Sequence, residues 1–152
     1  MHKSCCSGVY YQEFEKEKII IPAIANKPSL TLDTEGYYSN DKTSIIPTND
    51  YSLLALLNSK TVNFVLQQIS STKRGGYYEY KPVYVSQLPI IKMSEEVKEQ
   101  LSAKVKLLMT YHNNTPSSDT TSLESEIDQL VYALYGLTEA EIGIIEGRGI
   151  PL

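Results

Sequence analysis

Between residues 18 and 48 the apolar positions come in short runs broken by turn formers. Lys18-Ile19-Ile20-Ile21-Pro22 is a β-branched run closed by proline, which predicts a short buried strand. Leu30-Thr31-Leu32 alternates and stops at Asp33. Thr34-Glu35-Gly36 then reads as a turn, so a hairpin from this strand into Tyr37-Tyr38 is expected. Asn40-Asp41-Lys42 is a second turn signal, and Thr43 to Pro47 a further strand.

The pattern then changes period. Thr48-Asn49-Asp50 offers helix-capping side chains. Leu53, Leu54, Leu56, Leu57, Val62, Val65, Leu66 and Ile69 follow at helical spacing, interrupted at Asn58-Ser59. This predicts two consecutive helices or one bent helix. Lys73-Arg74-Gly75-Gly76 is a loop whose glycines permit positive φ, and Tyr77 to Tyr80 reads as a strand. Gln87-Leu88-Pro89-Ile90 is a hinge into a helical tail. Ser94-Glu95-Glu96 opens a helix with acids at its positive end, and Val97, Leu101, Val105 and Leu108 form its apolar stripe. A polar linker containing Pro116 follows. Thr121-Ser122-Leu123-Glu124 fits a capping box, Ile127, Leu130, Val131 and Leu134 form the next apolar face, and Gly136 stops that helix. Thr138 caps one more short helix. The expected fold is α+β: a small mixed or antiparallel sheet body with a central helix pair at 50–70, then a C-terminal helical tail. Residues 10–92 would form the body and 93–152 the tail.

Composition narrows the classes. At 152 residues and 41% hydrophobic content the chain can bury a real core. No run approaches 18 apolar residues and no signal-type apolar segment follows Met1, so a cytoplasmic protein that does not enter a membrane is expected. The only cysteines, Cys5 and Cys6, are adjacent, and the only histidines are His2 and His112, so neither a disulfide framework nor a zinc site is expected. Twelve tyrosines occur without any tryptophan, several in pairs such as Tyr77-Tyr78. In a strand at most one of each pair faces the core. The net charge of −4 argues against a nucleic-acid partner until its distribution is read. Residues 1–92 carry 10 Lys and Arg against 8 Asp and Glu; residues 93–152 carry 4 against 10, so the acidity belongs to the tail.

Catalytic chemistry is hard to assemble. There is no G-x-G-x-x-G and no Walker A pattern, and two distant histidines leave few nucleophile–base pairs. Acid pairs such as Glu95-Glu96, or Glu124 with Asp128, read as solvated helix charges. One loop stands out as an anion holder: Thr72-Lys73-Arg74-Gly75-Gly76, where glycine N–H groups can point at phosphate and two cations supply charge. The same residues also suit a plain surface turn.

The order of several short motifs carries more information than any one of them. Lys18-Ile19-Ile20-Ile21-Pro22, Gly36-Tyr37-Tyr38, Asn40-Asp41, Leu54-Ala55-Leu56-Leu57-Asn58-Ser59-Lys60, Arg74-Gly75-Gly76-Tyr77 and Gln87-Leu88-Pro89-Ile90 succeed one another in a way that resembles the TaqI-like C-terminal specificity domain. That domain ends bacterial restriction–modification enzymes that methylate adenine at its exocyclic amino group. The stretch from Ile127 to Thr138 is similar to the helical tail of the same enzymes. The leucine-rich helix with Leu-Asn-Ser-Lys and the later Leu-Pro-Ile are also similar to specificity subunits of type I restriction systems.

The resemblance implies a DNA target-recognition domain without chemistry of its own. In the family, S-adenosylmethionine binds an upstream catalytic domain whose Asn-Pro-Pro-Tyr type motif holds the flipped adenine; neither that motif nor a cofactor loop occurs in this chain. The expected partners are double-stranded DNA and a methyltransferase catalytic domain, fused upstream or made as a separate subunit. No cofactor is expected within the chain itself. The expected DNA-binding residues are Lys73 and Arg74 for phosphate and a guanine edge, Gly75 and Gly76 for close backbone approach, and Tyr77, Tyr78, Tyr80 and Lys81 for phosphate and sugar contacts. Lys27 and Lys42 are weaker phosphate candidates. One or two of the tyrosines belong to the core on this reading. The rival from another class is a protein interaction module in which a helical arm on a β-rich body docks a subunit without touching DNA.

Overall fold

The three consecutive isoleucines form the strand that organises the first sheet. In the computed structural model, which describes residues 12, 14–38 and 42–148, strand β1 (Lys18–Pro22) buries Ile19 and Ile21 and leaves Ile20 half-exposed, the period-two alternation of a sheet with one wet face. It is the central strand, flanked antiparallel by β3 (Thr31–Asp33) and β4 (Thr43–Pro47). After Pro22 the chain steps aside at Ala23 and continues as β2 (Ile24–Ala25), the edge of a second antiparallel sheet in the order β2, β6 (Tyr77–Glu79), β5 (Thr72–Lys73). Ala23 joins the two sheets: its N–H donates to the Lys42 carbonyl at 2.9 Å, and its carbonyl accepts from Tyr80 N–H at 2.8 Å.

The hairpin expected from residues 30–32 into Tyr37-Tyr38 does not form. The strand ends at Asp33, whose carboxylate accepts the backbone N–H groups of Glu35 at 2.9 Å and Tyr37 at 2.7 Å and so curls the chain away from a ladder. The same carboxylate meets Lys18, which is wholly buried and also donates to the Phe14 carbonyl at 2.7 Å. Burial opposes ionisation of Asp33, but the bonds from Lys18, Glu35 and Tyr37 outweigh it and hold its carboxyl below the usual range. Cys5, Cys6, His2, the Tyr10-Tyr11 pair and the Asn40-Asp41 turn lie outside the described residues.

The leucine-rich segment is two helices, α1 (Tyr51–Asn58) and α2 (Lys60–Ile69), broken at Ser59. Asp50 caps α1 by accepting from the N–H groups of Ser52 and Leu53. Asn58 reaches back to the sheet, accepting Leu30 N–H at 3.0 Å and donating to the Leu30 carbonyl at 2.9 Å. After the short helix α3 (Pro82–Val85) come α4 (Glu95–Asn114), α5 (Thr121–Tyr135) and α6 (Glu139–Ile145). The capping box expected at Thr121 is absent because the helix starts one residue earlier. Thr120 is the N-cap, the Asp119 carboxylate takes Thr121 N–H at 3.0 Å, and Thr120 donates to Glu124. A capping box does form at Thr138 and Glu141. Gly136 ends α5 in the left-handed region, as expected. Leu101 and Val105 of α4 and Ile127 and Val131 of α5 join Ile19, Leu56, Val62 and Leu66 in one hydrophobic core. The architecture is thus α+β: two small antiparallel three-stranded sheets, a central helix pair and a C-terminal helical region.

Candidate nucleic-acid interface

The cationic glycine segment closes the hairpin between β5 and β6. Thr72 faces Tyr78 and Lys73 faces Tyr77, leaving residues 74–76 as a three-residue turn. Gly75 and Gly76 have φ of 81° and 77°, a conformation that costs residues with a Cβ about 1–2 kcal/mol. The space around them does not demand glycine: a Cβ on Gly76 would meet nothing within 4 Å, and one on Gly75 only the Tyr77 ring at ordinary contact distance. The glycines therefore serve the turn conformation, and they leave its backbone bare on the outer side. Residues 72–77 are all solvent-exposed.

Alternation along β6 separates the candidates into two groups. Tyr78 and Tyr80 point inward. Tyr78 packs against the core half-buried, while Tyr80, expected as a contact residue, is 3% exposed and sits inside the protein. Its hydroxyl donates to Asn63 Oδ1 of α2 at 2.7 Å, and burial pushes the phenol up to about 12, so it stays a neutral donor. Tyr80 anchors the hairpin to the helix pair and offers no surface for a ligand. Tyr77 and Glu79 share the other parity of β6, with Lys73 beside Tyr77 and Ile24 beside Glu79, and Lys81 lies two residues past the strand, at the N-cap of α3. Tyr77 and Ile24 are 41% and 50% exposed.

Glu79, which no sequence motif singles out, sits between Lys73 and Lys81. It is only 5% exposed, yet its Oε1 accepts from Lys73 Nζ at 2.9 Å and lies 3.2 Å from Lys81 Nζ. The hydrogen bond from Lys73 is the main reason its carboxyl falls below the usual range; burial works against this, and Lys81 adds to it. Reciprocally, Glu79 raises the Lys73 ammonium. A glutamate ending a strand two residues before a lysine, with another lysine across the turn, is the signal that could have exposed this grouping. Arg74 makes no ion pair among the described residues and is exposed. Lys27 is exposed and leaves β2 at the end of the sheet that carries the turn, as the register of Ala25 with Tyr78 dictates. Lys42 lies at the sheet junction, its carbonyl bound by Ala23. The structure thus brings together Lys73, Arg74, Gly75, Gly76, Tyr77 and Lys81, and removes Tyr78 and Tyr80 to the inner face. Three cations against one carboxylate suit an anionic partner better than proton transfer.

Comparison with known proteins gives a family and a similar fold. The family described as the TaqI-like C-terminal specificity domain matches residues 3–90. No curated protein is a detectable sequence match. Among solved structures, the Type IIL restriction-modification enzyme MmeI, determined in complex with DNA, superposes with a TM-score of 0.69 over 86% of this chain at 17% identity. The chain spans 20% of the length of that enzyme.

Proposed function

Because the chain belongs to the TaqI-like C-terminal specificity domain family, we propose that it is the DNA target-recognition element of a restriction–modification adenine methyltransferase or endonuclease. On this reading it grips duplex DNA and presents the target base to a catalytic domain outside the chain, where S-adenosylmethionine would bind. Extruding a base costs stacking energy, and a domain clamped on the neighbouring duplex supports that distorted state. The observation that carries the proposal is the solvent-exposed turn at residues 73–77, with Arg74 outside any ion pair among the described residues, open space around Gly76, and Lys81 drawn to the same carboxylate as Lys73. Lysines there position the duplex through phosphate, and Arg74 has the fork geometry suited to a guanine edge.

The test is duplex binding as a function of salt. Replacing Lys73 and Arg74 together by alanine should weaken low-salt binding about tenfold or more and flatten the salt dependence by one to two phosphate contacts. Equal affinity of the double variant and the parent at 50 mM salt, with both proteins folded, would remove the turn from the interface.

The docking-module reading keeps one observation of its own. Leu107 and Tyr111 lie one turn apart on α4, and both side chains are exposed. It predicts that their substitution impairs association with the catalytic partner, and that the chain by itself shows no salt-sensitive affinity for duplex DNA.

A further inference from the structure

We propose that Glu79 is a positioning residue for DNA binding: it gathers the ammonium groups of Lys73 and Lys81 into a preformed pincer for one phosphate of the duplex. This inference rests on the DNA-recognition reading above and adds to it a residue that would not touch the DNA. The geometry is specific. Both lysines converge on the same oxygen, Glu79 Oε1, at 2.9 and 3.2 Å, so their Nζ atoms are no more than about 6 Å apart. Without an anion between them, two like charges on flexible stems would spread. Glu79 itself cannot follow a ligand outward. Its side chain is 6% exposed, its N–H is bound to the Ser71 carbonyl at 3.2 Å, and its strand is paired on both sides.

The lysines, by contrast, have about half of their side-chain surface in water and keep donors free for a second acceptor. A phosphate approaching the outer face can therefore be met by two ammonium groups already in place. That reduces the side-chain ordering that binding must otherwise supply. Arg74 on the adjoining turn is left outside the pincer and free to act independently.

The test separates position from charge. Glu79→Asp keeps the net charge but is one methylene shorter, so its carboxylate no longer spans both amines. Binding of a mixed-sequence duplex at low salt should fall about 3- to 10-fold, the loss expected from two unorganised lysines. Adding Lys73→Ala to Glu79→Asp should cost much less than Lys73→Ala costs in the parent, because the two substitutions remove the same interaction. Thermal unfolding of each variant establishes that the folded proteins are being compared. Should Glu79→Asp bind as the parent does, or should the two losses simply add, the positioning role is overturned. A parent protein whose duplex binding is unaffected by Lys73→Ala, Arg74→Ala and Lys81→Ala would instead overturn the DNA reading beneath it.

Discussion

Single side chains hold this fold together at points far apart in sequence. Asp128 of α5 is buried, and its Oδ1 accepts the Lys60 N–H at 2.9 Å. That N–H belongs to the first residue of α2 and has no partner within its own helix. Burial is the main influence on Asp128 and raises its carboxyl; the Lys60 bond offsets this in part, and Glu146 and Glu124 reinforce the rise. A carboxyl raised by folding binds its proton more tightly in the native state. Its contribution to stability is therefore greatest below the unfolded value near 4 and is lost as pH rises through the folded value. Asp128→Asn retains an acceptor for Lys60 and buries no charge. The variant should match or exceed the parent at pH 7, by up to about 1 kcal/mol, and should lose the fall in stability that the parent shows as pH climbs from about 4. Asp33 and Glu79, whose carboxyls are depressed, act in the opposite sense at lower pH and are common to both proteins. Denaturant unfolding across this pH range measures the difference; a clearly less stable Asn variant at pH 7 would mean that the charge itself is needed.

At the level of elements, the break between α1 and α2 is built into one serine. Ser59 is buried, donates its hydroxyl to the Leu56 carbonyl at 2.6 Å, and accepts from Val62 N–H at 3.3 Å. It thus closes one helix and opens the next, with extended backbone between them. Asn58-Ser59 was legible in the sequence as a junction because the apolar spacing falters there and both residues favour caps. The hold of Asn58 on Leu30 was not legible, since that contact spans 28 residues. Replacing Ser59 by alanine should cost about 1–2 kcal/mol, read as a lowered midpoint in chemical unfolding with an unchanged slope. The same contrast applies to the hairpin turn. Two consecutive glycines after Lys73-Arg74 announce positive φ, whereas only the β6 register shows which tyrosine faces out.

For the whole molecule, the acidic helical tail is part of the core that carries the candidate interface. Leu101 is fully buried in α4 and belongs to the same cluster as Ile19 and Leu56 of the body. Leu101→Ala should therefore destabilise the protein by about 2–5 kcal/mol and shift a single cooperative transition. A separate melting of the helical region, with the β-rich body unchanged, would show that the two parts fold independently. Among the described residues no helix is long and apolar enough to cross a membrane.

Local chemistry accounts for what the sequence alone determined. β-branched runs, helical spacing, caps at Asp50, Ser94 and Thr138, and the stop at Gly136 are decided by neighbours within a turn or two, so β1, β3, β4, β6, the helix pair and the tail could be read directly, whereas the two-residue strands β2 and β5 could not. The exposed glycine turn belongs with them. Tertiary structure alone decided that Asp33 would turn inward to Lys18 and prevent a hairpin, that Tyr80 would be core, and that Glu79 would collect two lysines. Each depends on which groups are left in low dielectric when distant segments meet, and pairing a buried charge or polar group outweighs any local preference.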